Sequence, residues 1–274
     1  MGAIMTELPK LLEPESLVEL LERPDILLID VCKDEIYSRR HIPGAVHVST
    51  KELMNGGQPW PNKLPSPAQL DALFSRIGLT ADKHVVVYDD EGGGWAGRLI
   101  WTLDVIGHQN WSYLNGGLIA WYAEGFPTTD EVPPPEVAEF EANVDRAAIV
   151  SAEDIMALDA INDVQIWDAR SIEEYTGEKV MAEKGGHIPG AIHCEWTSLM
   201  DRERNMRIRQ DALEYLTSVG ISPDKPTITH CQSHHRSGFT YLVARLLGFS
   251  NIRAYDGSWW EWGNRSDTPV EQGR

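Results

Sequence analysis

The chain repeats itself once, and that repeat limits its fold more than any other feature of the sequence. The stretch LLIDVCKDEIYSRRHIPGAVHV at 27–48 is matched by QIWDARSIEEY at 165–175 followed by GGHIPGAIHC at 185–194. In both, an apolar run ending in Asp leads to the same HIPGA turn. The later parts match too: VVVYDD (85–90) and GRLIWTLDVIGHQNWSYLNGG (97–117) parallel TITHCQ (227–232) and GFTYLVARLLGFSNIRAYDGS (238–258). A duplication at this period means two similar units in tandem, and 274 residues suffice for two domains of ordinary size, each with its own core. The Pro-rich, acidic stretch TTDEVPPPEVAEFEANVD reads as an extended linker. The expected division is therefore a first domain at 1–130, a linker at 131–150 and a second domain at 151–274. Within each copy, short strands alternate with helical periodicities. The predicted fold class is α/β, each domain a mostly parallel sheet flanked by helices.

In the second copy, Thr227–His230 reads as a strand, while Phe239, Leu242, Val243, Leu246 and Leu247 fall at helical spacing before Gly248. Cys231 to Arg236 thus joins the carboxyl end of a strand to the amino end of a helix, where open α/β sheets bind ligands. Such a loop can curl its backbone N–H groups inward, and the helix adds the positive end of its dipole. A thiol at its start, facing the cation Arg236, is favoured as thiolate. Arg236 also suits bidentate contact with the oxygens of an anion. A cysteine taken in isolation is better read as a small buried hydrophobe. The sequence CQSHHRSG is too polar for that reading, and Cys231 is the candidate nucleophile.

The two HIPGA repeats, with Cys-x-x-x-x-Arg-Ser in the second, resemble the tandem rhodanese family over essentially the whole chain. HCQSHHRSG is similar to the loop of proteobacterial rhodaneses that carry Cys-Gln-Thr-His-His-Arg, with Ser233 in place of threonine. The resemblance implies a thiosulfate:cyanide sulfurtransferase working by double displacement. Cys231 takes the sulfane sulfur, sulfite leaves, and the persulfide is held by the N–H groups of Gln232 to Arg236 until a thiophilic acceptor removes the sulfur. Gln232, Ser233, His234, His235 and Ser237 are expected to bind the small anionic donor. No metal or other cofactor is implied. Aligning YLNGG with AYDGS sets Asp90 opposite Cys231 and Trp95 opposite Arg236, so the first copy is expected to be catalytically silent, as the first domain of the tandem family usually is. Its DDEGGGWAG segment lacks the Lys-Ser/Thr of a phosphate loop, and its acidic residues would repel phosphate.

Two departures from the family bear on the site. Many rhodaneses have glycine where His234 stands, so the loop backbone is not transferable in detail. The better-known eukaryotic members have a second arginine four residues after the Asp-x-Arg strand end, where this chain has Glu174 before Tyr175. Donor recognition is then expected to rest on Arg236 and the loop backbone, and mercaptopyruvate is the less favoured donor. Asp168 and Arg170 are read as support for the loop, and Trp196 as a candidate cleft wall. Trp259, Trp260 and Trp262 read as core or interdomain surface. His41 and His187, present in both copies, point to a shared structural role, and Cys32 and Cys194 are read as inert. DRERNMRIRQ reads as a solvated mixed-charge run.

Forty-two acidic against twenty-four basic side chains give a formal charge of −18, which argues against nucleic acid or an anionic membrane as partner. Three cysteines without CxxC spacing argue against a disulfide framework or zinc. The N-terminal MGAIMTELPKLLEPESL lacks the apolar stretch of a signal peptide, and no run is long enough to span a membrane. A cytoplasmic monomer is expected, its two copies already forming a pseudo-dimer. Two rivals remain. Dual-specificity cell-cycle phosphatases share the fold and a Cys-loop-Arg motif, but with five residues between Cys and Arg where this chain has four. The other is a persulfide carrier that hands sulfur to a protein acceptor.

Overall fold

The computed structural model describes residues 8–134, 136–158 and 163–273; residues 1–7 of the segment read for a signal peptide lie outside them. The first domain contains β1 (Leu11–Leu12), α1 (Pro14–Val18), β2 (Ile26–Asp30), α2 (Asp34–Tyr37), β3 (Val46–His47), α3 (Pro67–Arg76), β4 (His84–Tyr88), α4 (Gly94–Val105), β5 (Trp111–Leu114) and α5 (Gly117–Ala123). The second contains α6 (Ala152–Met156), β6 (Gln165–Asp168), α7 (Ile172–Thr176), β7 (Ile192–His193), the hairpin strands β8 (Met200–Asp201) and β9 (Arg207–Ile208), α8 (Ala212–Ser218), β10 (Thr227–His230), α9 (Arg236–Leu246), β11 (Ile252–Ala254) and α10 (Ser258–Trp262). The two main sheets run β1-β5-β4-β2-β3 and β11-β10-β6-β7, and every pairing in them is parallel. Central β4 and β10 are buried along their whole length, as helices on both faces require, which is why HVVVY and TITH show no clean alternation.

The HIPGA turns are built alike. His41 Nδ1 lies 2.8 Å from the Tyr37 carbonyl and its ring stacks on Tyr37 at 4.0 Å, while the Tyr37 hydroxyl donates to the Ala45 carbonyl. His187, Tyr175 and Ala191 repeat the arrangement, with rings 3.7 Å apart. This shared tie fastens each short helix to its edge strand in both copies.

The sequence suggests two separate cores, but the largest apolar cluster spans both domains, joining Leu99 and Trp101 to Phe239, Leu242 and Val243. It is organised by α4 and α9, which cross at Gly97 and Gly238. A Cβ on Gly97 would stand 2.2 Å from the Gly238 carbonyl oxygen, so backbone meets backbone where no side chain fits. Almost every residue of α4 is buried because the helix is enclosed by its own sheet on one side and by α9 on the other. From 136 the connecting segment runs along the first domain, where Ala138 N donates to the Ser75 carbonyl and Phe140 packs on Phe74. It reaches the second sheet when Ile149 bridges Ala254 in parallel, the place β1 takes beside β5 in the first copy.

Two expectations change. In DRERNMRIRQ, Arg207 is buried: its Nε donates to Glu13 at 2.8 Å and its terminal nitrogen pairs with Glu124, so the hairpin clasps the first domain instead of lying in solvent. Trp259 and Trp262 are core, while Trp260 is largely exposed.

Candidate active site

β10 delivers the chain to Cys231, and α9 begins at Arg236. Between them the carbonyls are drawn outward. Those of Cys231 and Gln232 accept Trp259 N and Trp260 N at 2.9 Å, and those of Ser233 and His234 face the Arg98 guanidinium at 3.4 and 3.5 Å. Because a peptide's C=O and N–H point in opposite directions, this turns successive N–H groups inward. Ser237, through its hydroxyl and its N–H, and the N–H of Ser233 favour the Cys231 thiolate. Burial, the largest influence, pushes the Cys231 thiol up. Arg236 and these donors outweigh it, and the thiol is held below its ordinary value. Cys32 and Cys194 lack such compensation: burial drives both up, Cys194 to about 12, in keeping with inert thiols. All three cysteines are free.

Arg170 and Asp168 form a buried knot beneath the site. The guanidinium grips the carboxylate through Nε at 2.9 Å and a terminal nitrogen at 2.6 Å, donates to the Gly186 carbonyl, and lies 4.2 Å over the Trp259 ring. It thereby ties β6 to the HIPGA turn and to α10. Trp196 meets the loop through His235, at 5.4 Å between ring centres. Gln232 donates through Nε2 to the Met181 carbonyl.

Three expectations about the loop need correction. His234 neither lines the donor space nor lies half-exposed. It is fully buried, with φ of +58°, its ring edge-on to Trp101 and its Nδ1 2.8 Å from Ser237 Oγ. The left-handed backbone that glycine adopts freely costs a histidine roughly 1 kcal/mol, and packing against α4 offsets it. His235 likewise serves the domain junction, paired with Glu91 of the first domain and held between Trp95 and Trp196. Lastly, Arg236 is not an uncommitted anion holder. Its terminal nitrogens donate to both oxygens of Glu174 at 2.6 and 2.9 Å. Glu174 sits there because Ser171 and Glu174 form the capping box of α7. That signature is legible in SIEE, although the carboxylate's second partner is not.

The first copy also differs from its alignment. Leu118 N donates to the Asp89 carbonyl as Trp259 N does to that of Cys231, and Tyr88 pairs with Asp30 as His230 pairs with Asp168. Asp89, not Asp90, therefore occupies the Cys231 position; the first loop is one residue longer, and Trp95 still matches Arg236. The Asp89 carboxylate accepts five backbone N–H groups, from Glu91, Gly92 and Gly93 on one oxygen and Trp95 and Ala96 on the other, at 2.8–3.1 Å. Burial, and then Glu91, nevertheless push the Asp89 carboxyl up to about 7 against these donors, so the first loop is filled by its own side chain without holding it fully ionised at neutral pH.

Arg98 was not singled out from the sequence. It is a fully buried cation on α4 whose second terminal nitrogen donates to the carbonyls of Leu53 and Asn62 at 2.9 and 2.7 Å. A cation beside Gly97 in a mostly apolar helical run was the available signal. Burial lowers its pKa to about 10, opposed by Asp256 and Cys231, so it stays a cation at neutral pH. Among the described residues no cluster of side chains suits a metal ion, and no helix is long and apolar enough to cross a membrane.

Comparison with known proteins agrees with this geometry. The rhodanese-like domain model matches twice, at residues 13–124 and 151–265. The thiosulfate sulfurtransferase of Pseudomonas aeruginosa is 48% identical over 269 residues, covering 98% of this chain and 99% of that one. The 3-mercaptopyruvate sulfurtransferase of Escherichia coli K12 is 32% identical over 268 residues, covering 93% and 95%. The crystal structure of YnjE superposes with a TM-score of 0.86 at 24% identity, over 97% of this chain and 68% of that one, which supports the fold alone. Two domain matches that take up most of the chain, and a relative similar almost end to end, leave one conclusion: the chain belongs to the rhodanese family and carries its domain in tandem.

Proposed function

We propose that this chain is a thiosulfate sulfurtransferase that moves the sulfane sulfur of thiosulfate to a thiophilic acceptor, cyanide or a thiol, through a persulfide on Cys231. The observation that carries the reading is a buried cysteine between the end of β10 and Arg236 at the start of α9, in a loop whose carbonyls are taken up by Trp259, Trp260 and Arg98. The Cys231 thiolate attacks the outer sulfur of thiosulfate. A new S–S bond forms, the old one breaks, and sulfite departs with its electron pair. The acceptor then attacks the terminal sulfur and restores the thiolate. No separate base is needed when the thiol is already ionised. The persulfide anion rests on loop N–H groups and the amino end of α9.

Cys231 and Arg236 are assigned as the catalytic pair, with Gln232, Ser233 and Ser237 next to the donor. The domain at 1–130 is the silent partner, 131–150 the linker and 151–274 the catalytic domain. Glu174 occupies two of the Arg236 donors, which favours a small dianion able to compete for the remaining ones over the single carboxylate of mercaptopyruvate. A second reading, transfer to a protein acceptor, draws support from Val180, Met181 and Trp260. All three are exposed, and Met181 and Trp260 hydrogen-bond Gln232 through their backbones at the edge of the site. A cytoplasmic monomer remains part of the proposal.

The test compares thiosulfate, mercaptopyruvate and an aryl phosphate as substrates, and reads intact mass after thiosulfate treatment. One added sulfur, mapped to Cys231 and absent in Cys231→Ser, is the expected result. Uptake by Cys231→Ser, or preference for the phosphate, overturns the assignment.

A further inference from the structure

His234 combines three properties that a space-filling residue does not need together: a left-handed backbone, complete burial, and a ring nitrogen 2.8 Å from the Ser237 hydroxyl. The same hydroxyl is among the groups that favour the Cys231 thiolate. The residues therefore form a chain from the imidazole of His234 through Ser237 to the sulfur, on the side of the loop that faces α4 of the silent domain.

We propose that His234 is a positioning residue whose Nδ1–H fixes the Ser237 hydroxyl as a donor to the Cys231 sulfur, an assignment that rests on Cys231 being the sulfur-carrying nucleophile. A thiolate can only accept a hydrogen bond. A hydroxyl that donates to it has only lone pairs left for a second neighbour, so Nδ1 must carry the proton. The ring is neutral, because burial first, then Arg98 and His235, hold its pKa well below the ordinary value. A neutral ring with its proton on Nδ1 leaves Nε2 as a bare acceptor, and Nε2 has no hydrogen-bond partner among the described residues. With the opposite tautomer an N–H would be stranded in the interior and the hydroxyl could turn its proton away from sulfur. Arg98 thus acts twice, drawing the loop carbonyls outward and keeping the histidine uncharged.

Asparagine tests this directly. Its Nδ2 branches from Cγ as histidine Nδ1 does, and asparagine tolerates the left-handed region. The readout is the pH titration of Cys231 followed by ultraviolet thiolate absorbance, each variant being subtracted against its own Cys231→Ser counterpart so that Cys32 and Cys194 cancel. Expected is a midpoint about one pH unit higher in His234→Leu, the worth of one hydrogen bond to a charged acceptor, and recovery of most of that shift in His234→Asn. His234→Gly relieves the backbone strain and keeps the series informative should the leucine variant fold poorly; it too should titrate high. In a Ser237→Ala background, removing the His234 donor should change nothing further. Equal midpoints for the leucine and asparagine variants, or an undiminished His234 effect without Ser237, overturn the proposal. Failure of the nucleophile assignment looks different: sulfur uptake from thiosulfate would survive in Cys231→Ser whatever the titrations give.

Discussion

Removing Arg236 should damage the fold as well as the chemistry, and the two effects can be separated. Arg236→Ala leaves the Glu174 carboxylate, 4% exposed, without the cation that bonds both its oxygens. Breaking a buried ion pair on one side costs about 3–5 kcal/mol. At about 2–3 °C per kcal/mol for a chain of this size, the thermal midpoint should fall roughly 6–15 °C. The sign of the pH dependence gives a second check. In the intact pair, burial pushes the Glu174 pKa up but Arg236 wins and holds it below the ordinary carboxylate value. A depressed carboxyl contributes stability that is present above its unfolded pKa and lost as pH falls through the folded one. Without Arg236, burial dominates, the pKa rises, and stability from this group increases as pH falls. The deficit of the variant should therefore narrow between neutrality and about pH 5. The assay is scanning calorimetry at both pH values on Arg236→Ala, Glu174→Gln and the double variant, alongside thiosulfate:cyanide turnover. The double variant should regain most of the midpoint and none of the turnover. An unchanged midpoint in Arg236→Ala, or a double variant as labile as the single, refutes the reasoning.

Arg98→Met should lower turnover at least about tenfold although Arg98 belongs to the other domain, since two loop carbonyls lose a charged donor; wild-type turnover in that variant would show the loop holds itself. Gly97→Ala forces a Cβ to 2.2 Å from the Gly238 oxygen and should cost about 1–3 kcal/mol in denaturant unfolding; a neutral effect would mean that α4 and α9 can separate freely. For Asp168, burial pushes the pKa up but His230 and Arg170 hold it at about 2, below the ordinary value, so its stabilisation is lost as pH falls from about 4 toward 2. Asp168→Asn should accordingly be unstable at pH 7 and converge with wild type in acid, and a pH-independent difference would contradict this pairing.

What was legible in the sequence was local or repeated. The strand Thr227–His230, the helix after it and the HIPGA turns follow from periodicity and from seeing each pattern twice. What escaped depends on contacts between residues far apart in the chain. Glu174 announces a capping box, but nothing in the sequence brings it to Arg236, 62 positions away. Nothing in the loop sequence buries His234 until α4 of the other copy is laid against it, whereas His235 stays partly exposed. The one-residue misalignment of Asp89 arose from counting back across a first loop that is one residue longer; the strand match of VVVYDD with TITHCQ, which the backbone pairing bears out, sets Asp89 opposite Cys231. The single merged core was hidden for a related reason: glycine at 97 and 238 carries no hydropathy signal, yet it permits the closest approach of the two helices.

That glycine contact also governs how the molecule can move. Two domains meet backbone to backbone, with Arg98 of one threaded behind the loop of the other and Arg207 clasped by Glu13 and Glu124, so the seam between them is closely packed. Cys231 nonetheless has no exposed surface. Rotamer changes at the rim, at Gln232 and the Arg236–Glu174 pair, would expose it without parting the domains, and such changes are fast. On that geometry, a ligand that competes for the Gln232 and Arg236 contacts uncovers the sulfur as it arrives.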